Sequence, residues 1–174
     1  MLRLLLIRHA EALVRTPGRD SDRPLTAQGQ ADAKRVGIYL RTSSLVPNRA
    51  ISSPALRARD TLDAILRELP HEPPCHEIYD ALYYADSETL LDILSQTSAS
   101  VKTLLVIGHN PGVGEFARFL LRPENALPTH FPAPCLAVID LLCGDWGEAG
   151  ASCGRLDRFK DFSNSQSNDS IPCN

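Results

Sequence analysis

At 174 residues, with 43% hydrophobic and 22% charged side chains, the chain is long enough for one compact domain that buries its core without disulfide or metal staples. A net charge of -3 offers no basic face to nucleic acid or an anionic membrane, and no apolar run approaches bilayer length. The opening apolar stretch, Leu4 to Ile7, is too short for the core of a signal peptide, and Arg8, His9 and Glu11 interrupt it at once, so a buried strand of a cytoplasmic protein is expected.

Five cysteines, at positions 75, 135, 143, 153 and 173, form an odd set with no CxxC, which predicts free thiols in a reducing compartment. A zinc site on Cys75 and His76 is disfavoured, because adjacent residues rarely reach one metal and no second ligand pair is evident.

Along the chain, short apolar runs alternate with helical periodicity. Leu4 to Ile7 reads as a strand covered on both faces. A polar loop from 13 to 25 follows, and Thr26 then caps a helix running to about Leu40. Gly29, Ala33, Val36 and Leu40 share one face of it, and the two small residues predict close packing on a sheet. Ala50 to Ser52 is a second strand, and Ser53-Pro54 predicts the cap and first position of the next helix. Ala55, Ala58, Leu62, Ile65 and Leu69 give that helix its apolar stripe before Pro70, Pro73 and Pro74 end it.

A brief strand is predicted at 76 to 79, then a helix capped by Asp86 or Ser87 through Leu94. Thr103 to Ile107 is the clearest buried strand, and His109-Asn110-Pro111 leads from it into a helix with Val113, Phe116, Ala117 and Leu120 inward. Leu136 to Leu141 and Arg155 to Lys160 are predicted to pair across the glycine-rich turn at 144 to 150. The domain is expected to span residues 1–162, and the Ser- and Asn-rich tail, 163–174, to be disordered.

This order predicts a three-layer α/β/α domain with a mainly parallel sheet, in which ligands bind beyond the carboxyl ends of the strands. Arg8-His9, Ser52 to Arg57, and Gly108-His109-Asn110 each follow a strand and are predicted to converge on that edge. They bring two histidines, two arginines and helix N-termini together. Arginine forks and helix N-termini suit a phosphoryl dianion, and a neutral imidazole against phosphorus can act as nucleophile. Singly each piece has a plainer reading: Arg57 as a solvated residue, His109 as a core histidine.

Taken in order, the three segments resemble the histidine phosphatase superfamily, also called phosphoglycerate mutase-like. The resemblance rests on L-L-I-R-H-A-E-A with His9, on S-S-P-x-x-R-A-x-x-T from Ser52 to Thr61, and on V-I-G-H-N-P with His109. The short length, R-H-A-E-A, and Asp22-Arg23-Pro24-Leu25-Thr26-x-x-Gly29 are similar to its SixA-type branch. That resemblance implies that His9 takes the phosphoryl group, that Arg8, Arg57 and His109 hold its oxygens, and that water hydrolyses the phosphoenzyme with no cofactor or metal. Arg23 is a candidate at the rim, or else pairs with Asp22 or Glu11. Glu11 is not assigned a catalytic role. Asn110 either shapes the pocket or caps a helix.

Larger members carry a carboxylic acid that protonates the leaving oxygen. Here Glu77 and Asp80 occupy the comparable region without a clear match, and Asp80 is the better positional candidate. An alcohol leaving group gains about 10²–10⁴-fold from such an acid, whereas the imidazole of phosphohistidine needs less help. The expectation is therefore a phosphohistidine phosphatase acting, as a monomer, on a histidine-phosphorylated protein such as a phosphotransfer domain. A phosphatase of small phosphomonoesters, a mutase and a non-catalytic phosphate-binding module are the alternatives.

Overall fold

The computed structural model describes residues 1–70, 75–124 and 127–163. Its centre is β1 (Leu2–Arg8), whose side chains alternate between two apolar clusters. Leu2, Leu4 and Leu6 enter one cluster, while Leu5 and Ile7 enter the other. A strand has period two, so a continuous apolar run means that both faces of the sheet are covered. The covering helices are α1 (Ala27–Thr42) and α2 (Leu56–Leu66) on the Leu5 side, and α3 (Ser87–Ser95) and α4 (Gly112–Leu120) on the Leu4 side. Three layers result.

The remaining strands are β2 (Arg49–Ser52), β3 (Cys75–Ile78), β4 (Thr103–Gly108), β5 (Cys135–Leu141) and β6 (Gly154–Asp161). They form one six-stranded sheet in the order β3-β2-β4-β1-β5-β6. The pairs β1·β4, β2·β4 and β2·β3 are parallel, and the last two strands join antiparallel. β4 lies between β1 and β2, so Arg8 pairs with Gly108 and Ser52 with Ile107. The register therefore ends three parallel strands at one level. Two further bonds extend it by a residue, His9 N–H to the Gly108 carbonyl and Ser53 N–H to that of Ile107, both 3.1 Å.

Thr26 caps α1 as expected, its hydroxyl accepting from Gly29 N–H at 2.9 Å. The close approach at Gly29 is made to the loop after β1 rather than to the sheet. A Cβ there would lie 2.1 Å from the Glu11 carbonyl oxygen. α2 starts at Leu56, with Ala55 as its cap, later than Ser53-Pro54 predicts. Ser53 is committed to β4 through its backbone and to His109 through its hydroxyl, so the chain stays extended there. Asp86 is the cap of α3, accepting from Thr89 N–H at 2.9 Å.

β3 is a fully exposed edge strand. The glycine-rich turn between β5 and β6 contains a short 3-10 turn, Trp146–Glu148, whose buried indole donates to the Val101 carbonyl at 2.8 Å. Among the described residues, Cys75, Cys135, Cys143 and Cys153 are free thiols, and no helix is long and apolar enough to cross a membrane. Pro73, Pro74 and the tail beyond Ser163 lie outside the described residues.

Candidate active site

The level ends of β1, β2 and β4 bring His9, Ser53 and His109 side by side, and α2 adds Arg57 from its first turn. The imidazole rings of His9 and His109 stand edge to face with centroids 4.9 Å apart. Hydrogen bonding fixes both tautomers. His9 Nδ1 faces the Ala10 carbonyl at 2.7 Å, which can only accept, so Nδ1 carries the proton. His9 Nε2 receives the Arg57 Nε–H at 3.2 Å, so this nitrogen keeps its lone pair. His109 Nε2 donates to Ser53 Oγ at 2.7 Å, and its bare Nδ1 faces Arg57 Nη2 at 3.5 Å.

Both rings are neutral at physiological pH. Burial, with the charges of Arg57, Arg8 and Arg23, lowers the His9 pKa from 6.5 to about 4. Burial, His9 and Arg57 lower that of His109 to about 3. A neutral imidazole whose Nε2 is unprotonated and hydrogen-bonded by Arg57, among further guanidinium groups, has the attributes of a nucleophile for an anionic centre.

The backbone at His9 is held from α2. Thr61, fully buried, accepts the Ala10 N–H at 3.0 Å and donates to the Arg57 carbonyl at 2.7 Å. One hydroxyl thus ties the loop that follows His9 to the helix carrying Arg57. Across the cavity, Arg8 Nη1 and Asn110 Nδ2 both donate to the Phe131 carbonyl, while Arg8 Nε is buried without a partner. Asn110 lines the cavity rather than capping α4, whose first turn has no side-chain cap.

The cavity encloses about 330 Å3 and is lined by Arg8, His9, Arg23, Arg57, His109 and Asn110, with Glu11, Ala12, Tyr84 and Ala133 completing it. All six positively charged, imidazole or amide residues expected from the sequence are therefore gathered in one place. Asp80 is not among them. It opens a 3-10 turn, Asp80–Leu82, exposed and away from the cavity, and the turn presents Tyr83 and Tyr84 in its place. Glu77 pairs instead with Arg49 at 2.9 Å. Arg23 pairs with neither Asp22 nor Glu11. Its partner is Asp20 at 2.8 Å, while Asp22 holds Arg19 and Glu11 accepts from the Thr26 hydroxyl.

Asp20 is a residue that sequence reasoning misses. The segment Asp20–Asp22 is a 3-10 turn, in which residues three apart eclipse, so Arg19 meets Asp22 and Asp20 meets Arg23. That spacing is the signal the sequence offers. The role of Phe131 carries none, since it contributes a carbonyl.

A phosphoglycerate mutase-like α/β/α domain with two imidazoles and two guanidinium groups at the carboxyl edge of its sheet defines a class of phosphoryl-handling enzymes. Residues 4–82 match the profile described as the histidine phosphatase superfamily (branch 1). An uncharacterized chloroplastic protein of Arabidopsis thaliana is 32% identical over 162 residues, covering 87% of this chain and 72% of its own. The phosphohistidine phosphatase SixA of Escherichia coli is 28% identical over 149 residues, 80% of this chain and 86% of that protein. Among solved structures, a candidate phosphohistidine phosphatase SixA from Agrobacterium tumefaciens superposes with a TM-score of 0.79 at 30% identity, covering 92% of this chain and 97% of that one. The protein histidine phosphatase SixA complexed with tungstate gives 0.77 at 25% identity, with the same coverages, 92% and 97%. The chain belongs to the histidine phosphatase superfamily and is a phosphatase.

Proposed function

We propose that this phosphatase hydrolyses phosphohistidine on a protein substrate through a covalent phosphohistidine formed at His9. The observation that carries the proposal is the state of His9: Nδ1–H locked on the Ala10 carbonyl, Nε2 unprotonated and accepting from the Arg57 Nε–H. In the first step the Nε2 lone pair forms a bond to phosphorus. The phosphorus–nitrogen bond of the substrate breaks, and its electron pair leaves with the substrate imidazole, which is protonated from solvent. In the second step water attacks phosphorus, the bond to Nε2 breaks, and the pair returns to His9 as phosphate departs.

Arg57 and Arg8 are proposed to bind the phosphoryl oxygens, an oxyanion supplying the acceptor that the Arg8 Nε lacks. A dianion also offsets the arginine charges around His109 and raises its pKa, which favours a ring that donates to the phosphoryl group. Tungstate, bound by a SixA protein of the same fold, is an oxyanion of matching shape and supports this use of the cavity. The open rim, with Tyr84 79% exposed, suits a protein-borne group rather than an enclosed metabolite.

One observation favours hydrolysis of small phosphomonoesters. Glu11 supplies the single carboxylate among the residues lining the cavity, and an ester oxygen leaving as an alcohol requires an acid. The experiment compares the wild type, His9→Ala and Glu11→Gln on a histidine-phosphorylated phosphotransfer protein and on glycerol 2-phosphate, an ester whose alcohol leaving group calls for an acid. Fast turnover of the phosphoprotein, slow turnover of the ester, no activity in His9→Ala and full phosphoprotein activity in Glu11→Gln are expected. Ester turnover equal to or above that of the phosphoprotein, and dependent on Glu11, refutes the proposal.

A further inference from the structure

A guanidinium group has two edges able to bind bidentately, the end edge (Nη1 with Nη2) and the side edge (Nε with one Nη). In Arg57 both are engaged, by different groups. The end edge belongs to Asp20: Nη1 donates to its backbone carbonyl at 2.8 Å and Nη2 to Oδ2 at 3.0 Å. The side edge faces the two imidazoles, Nε toward His9 at 3.2 Å and Nη2 toward His109 at 3.5 Å. We infer that Asp20 is a positioning residue, which occupies the end edge of Arg57 so that only the side edge meets the phosphoryl group on His9.

Asp20 is itself built to stay in place. Arg23 Nε donates to Oδ1 at 2.8 Å and the Tyr83 hydroxyl to Oδ2 at 2.8 Å. The Tyr83 bond, with Arg23 and Arg57, holds the carboxyl at about 2, so it remains an ionised acceptor and has no proton to give a leaving group. Asp22, two residues on, is tied to Arg19 and cannot substitute. Arg23 and Tyr83 thus hold Asp20, and Asp20 acts through Arg57.

The geometric consequence lies in the transition state. The equatorial oxygens of a phosphoryl group in transfer sit in a plane around phosphorus, perpendicular to the line from the attacking nitrogen, and a side-on guanidinium beside that nitrogen can follow two of them. An Arg57 freed from Asp20 can instead turn its end edge inward. A misplacement of that order costs about 10²-fold in rate. Ground-state binding suffers less, because either edge still attracts a dianion.

The inference rests on His9 and Arg57 forming the phosphoryl site and is independent of which substrate brings the group. Its test therefore uses phosphoramidate as a small donor, following phosphorylation of His9 in a single turnover. Binding of orthovanadate, a transition-state mimic, is measured beside binding of phosphate. Asp20→Ala, Asp20→Glu and Tyr83→Phe are compared, and Asp20→Ala is repeated with Arg57→Lys, since lysine has no end edge to clamp. Asp20→Ala is expected to lower the transfer rate about 10- to 100-fold and vanadate affinity in parallel, with phosphate affinity much less affected. Asp20→Glu recovers part of the loss, Tyr83→Phe shows a smaller loss, and Arg57→Lys abolishes the effect of Asp20→Ala. An unchanged transfer rate, an equal fall in phosphate and vanadate affinity, or an undiminished loss with Arg57→Lys overturns the inference. Failure of the wild type to phosphorylate His9 counts against the proposed nucleophile instead, and the vanadate comparison then decides the role of Asp20.

Discussion

Replacing Thr61 by Val keeps the side-chain volume and deletes one hydroxyl, which makes it a clean perturbation of the support beneath His9. Thr61 is fully buried, so the Ala10 N–H that it accepts at 3.0 Å has no water to turn to. A stranded buried N–H costs about 1–3 kcal/mol. The lost donation to the Arg57 carbonyl adds little, because that carbonyl faces the helical N–H four residues on. Valine fills the space, so no cavity term enters. With about 2–4 °C per kcal/mol for a domain of this size, the melting temperature should fall by roughly 2–12 °C. Activity should fall further than stability, at least about tenfold, since the Ala10 carbonyl sets the His9 tautomer. Thr61→Ser provides the contrast: it loses a buried methyl, worth about 1 kcal/mol, and keeps the hydroxyl. Thermal melts by circular dichroism and turnover of a phosphorylated substrate read the two effects. Near wild-type activity in Thr61→Val, or equal inactivation by Ser and Val, would refute the reasoning.

Two more predictions concern pH and packing. His9 has a folded pKa of about 4 against 6.5 unfolded, so between those values the unfolded chain binds the proton and the native state does not. Stability is therefore flat above pH 7 and should fall by about 2 kcal/mol from this group alone by pH 5. Denaturant midpoints for the wild type and His9→Ala in phosphate-free buffer check this, and parallel pH dependences contradict it. Gly29→Ala replaces a helix residue by a better helix former, a gain of about 1 kcal/mol, yet its Cβ would meet the Glu11 carbonyl oxygen at 2.1 Å. Overpacking against backbone costs about 1–3 kcal/mol, so the melting temperature should drop and activity with it, because Glu11 follows His9 by two residues. A rise in melting temperature shows that the loop gives way freely.

What is legible in the sequence follows from burial on both faces. Leu4 to Ile7 and Thr103 to Ile107 are continuous apolar runs because helices lie above and below them, whereas a strand with one face in water would alternate. Parallel pairing then places their carboxyl ends together, which is why Arg8, His9, Arg57, Arg23, His109 and Asn110 meet in one cavity. The start of α2 is hidden because Ser53 looks like a cap, whereas its hydroxyl and N–H serve His109 and β4. Asp80 misleads because position along the chain does not report the direction of a 3-10 turn, and the turn that follows β3 sends Tyr83 inward. Asp20 cannot be told from Asp22 without knowing the turn that eclipses every third residue. Backbone groups such as the Phe131 and Ala10 carbonyls orient the site, and no side chain announces them.

The central place of β1 has a consequence for how the enzyme comes into being. Its partners arrive late in the chain, Arg8 meeting Gly108 on one edge and Leu2 meeting Leu141 on the other. Such pairings give a high contact order and slow closure, during which a strand of consecutive leucines has both hydrogen-bonding edges open. On the ribosome His9 emerges before the strands that flank it and is assembled only after them. A nascent chain halted before β5 carries the segments of His9, Arg57 and His109 and still lacks a strand that flanks β1, so it offers an adhesive edge rather than an assembled site. Folding this phosphatase is thus a race between the emergence of residue 141 and capture of its first strand by another chain.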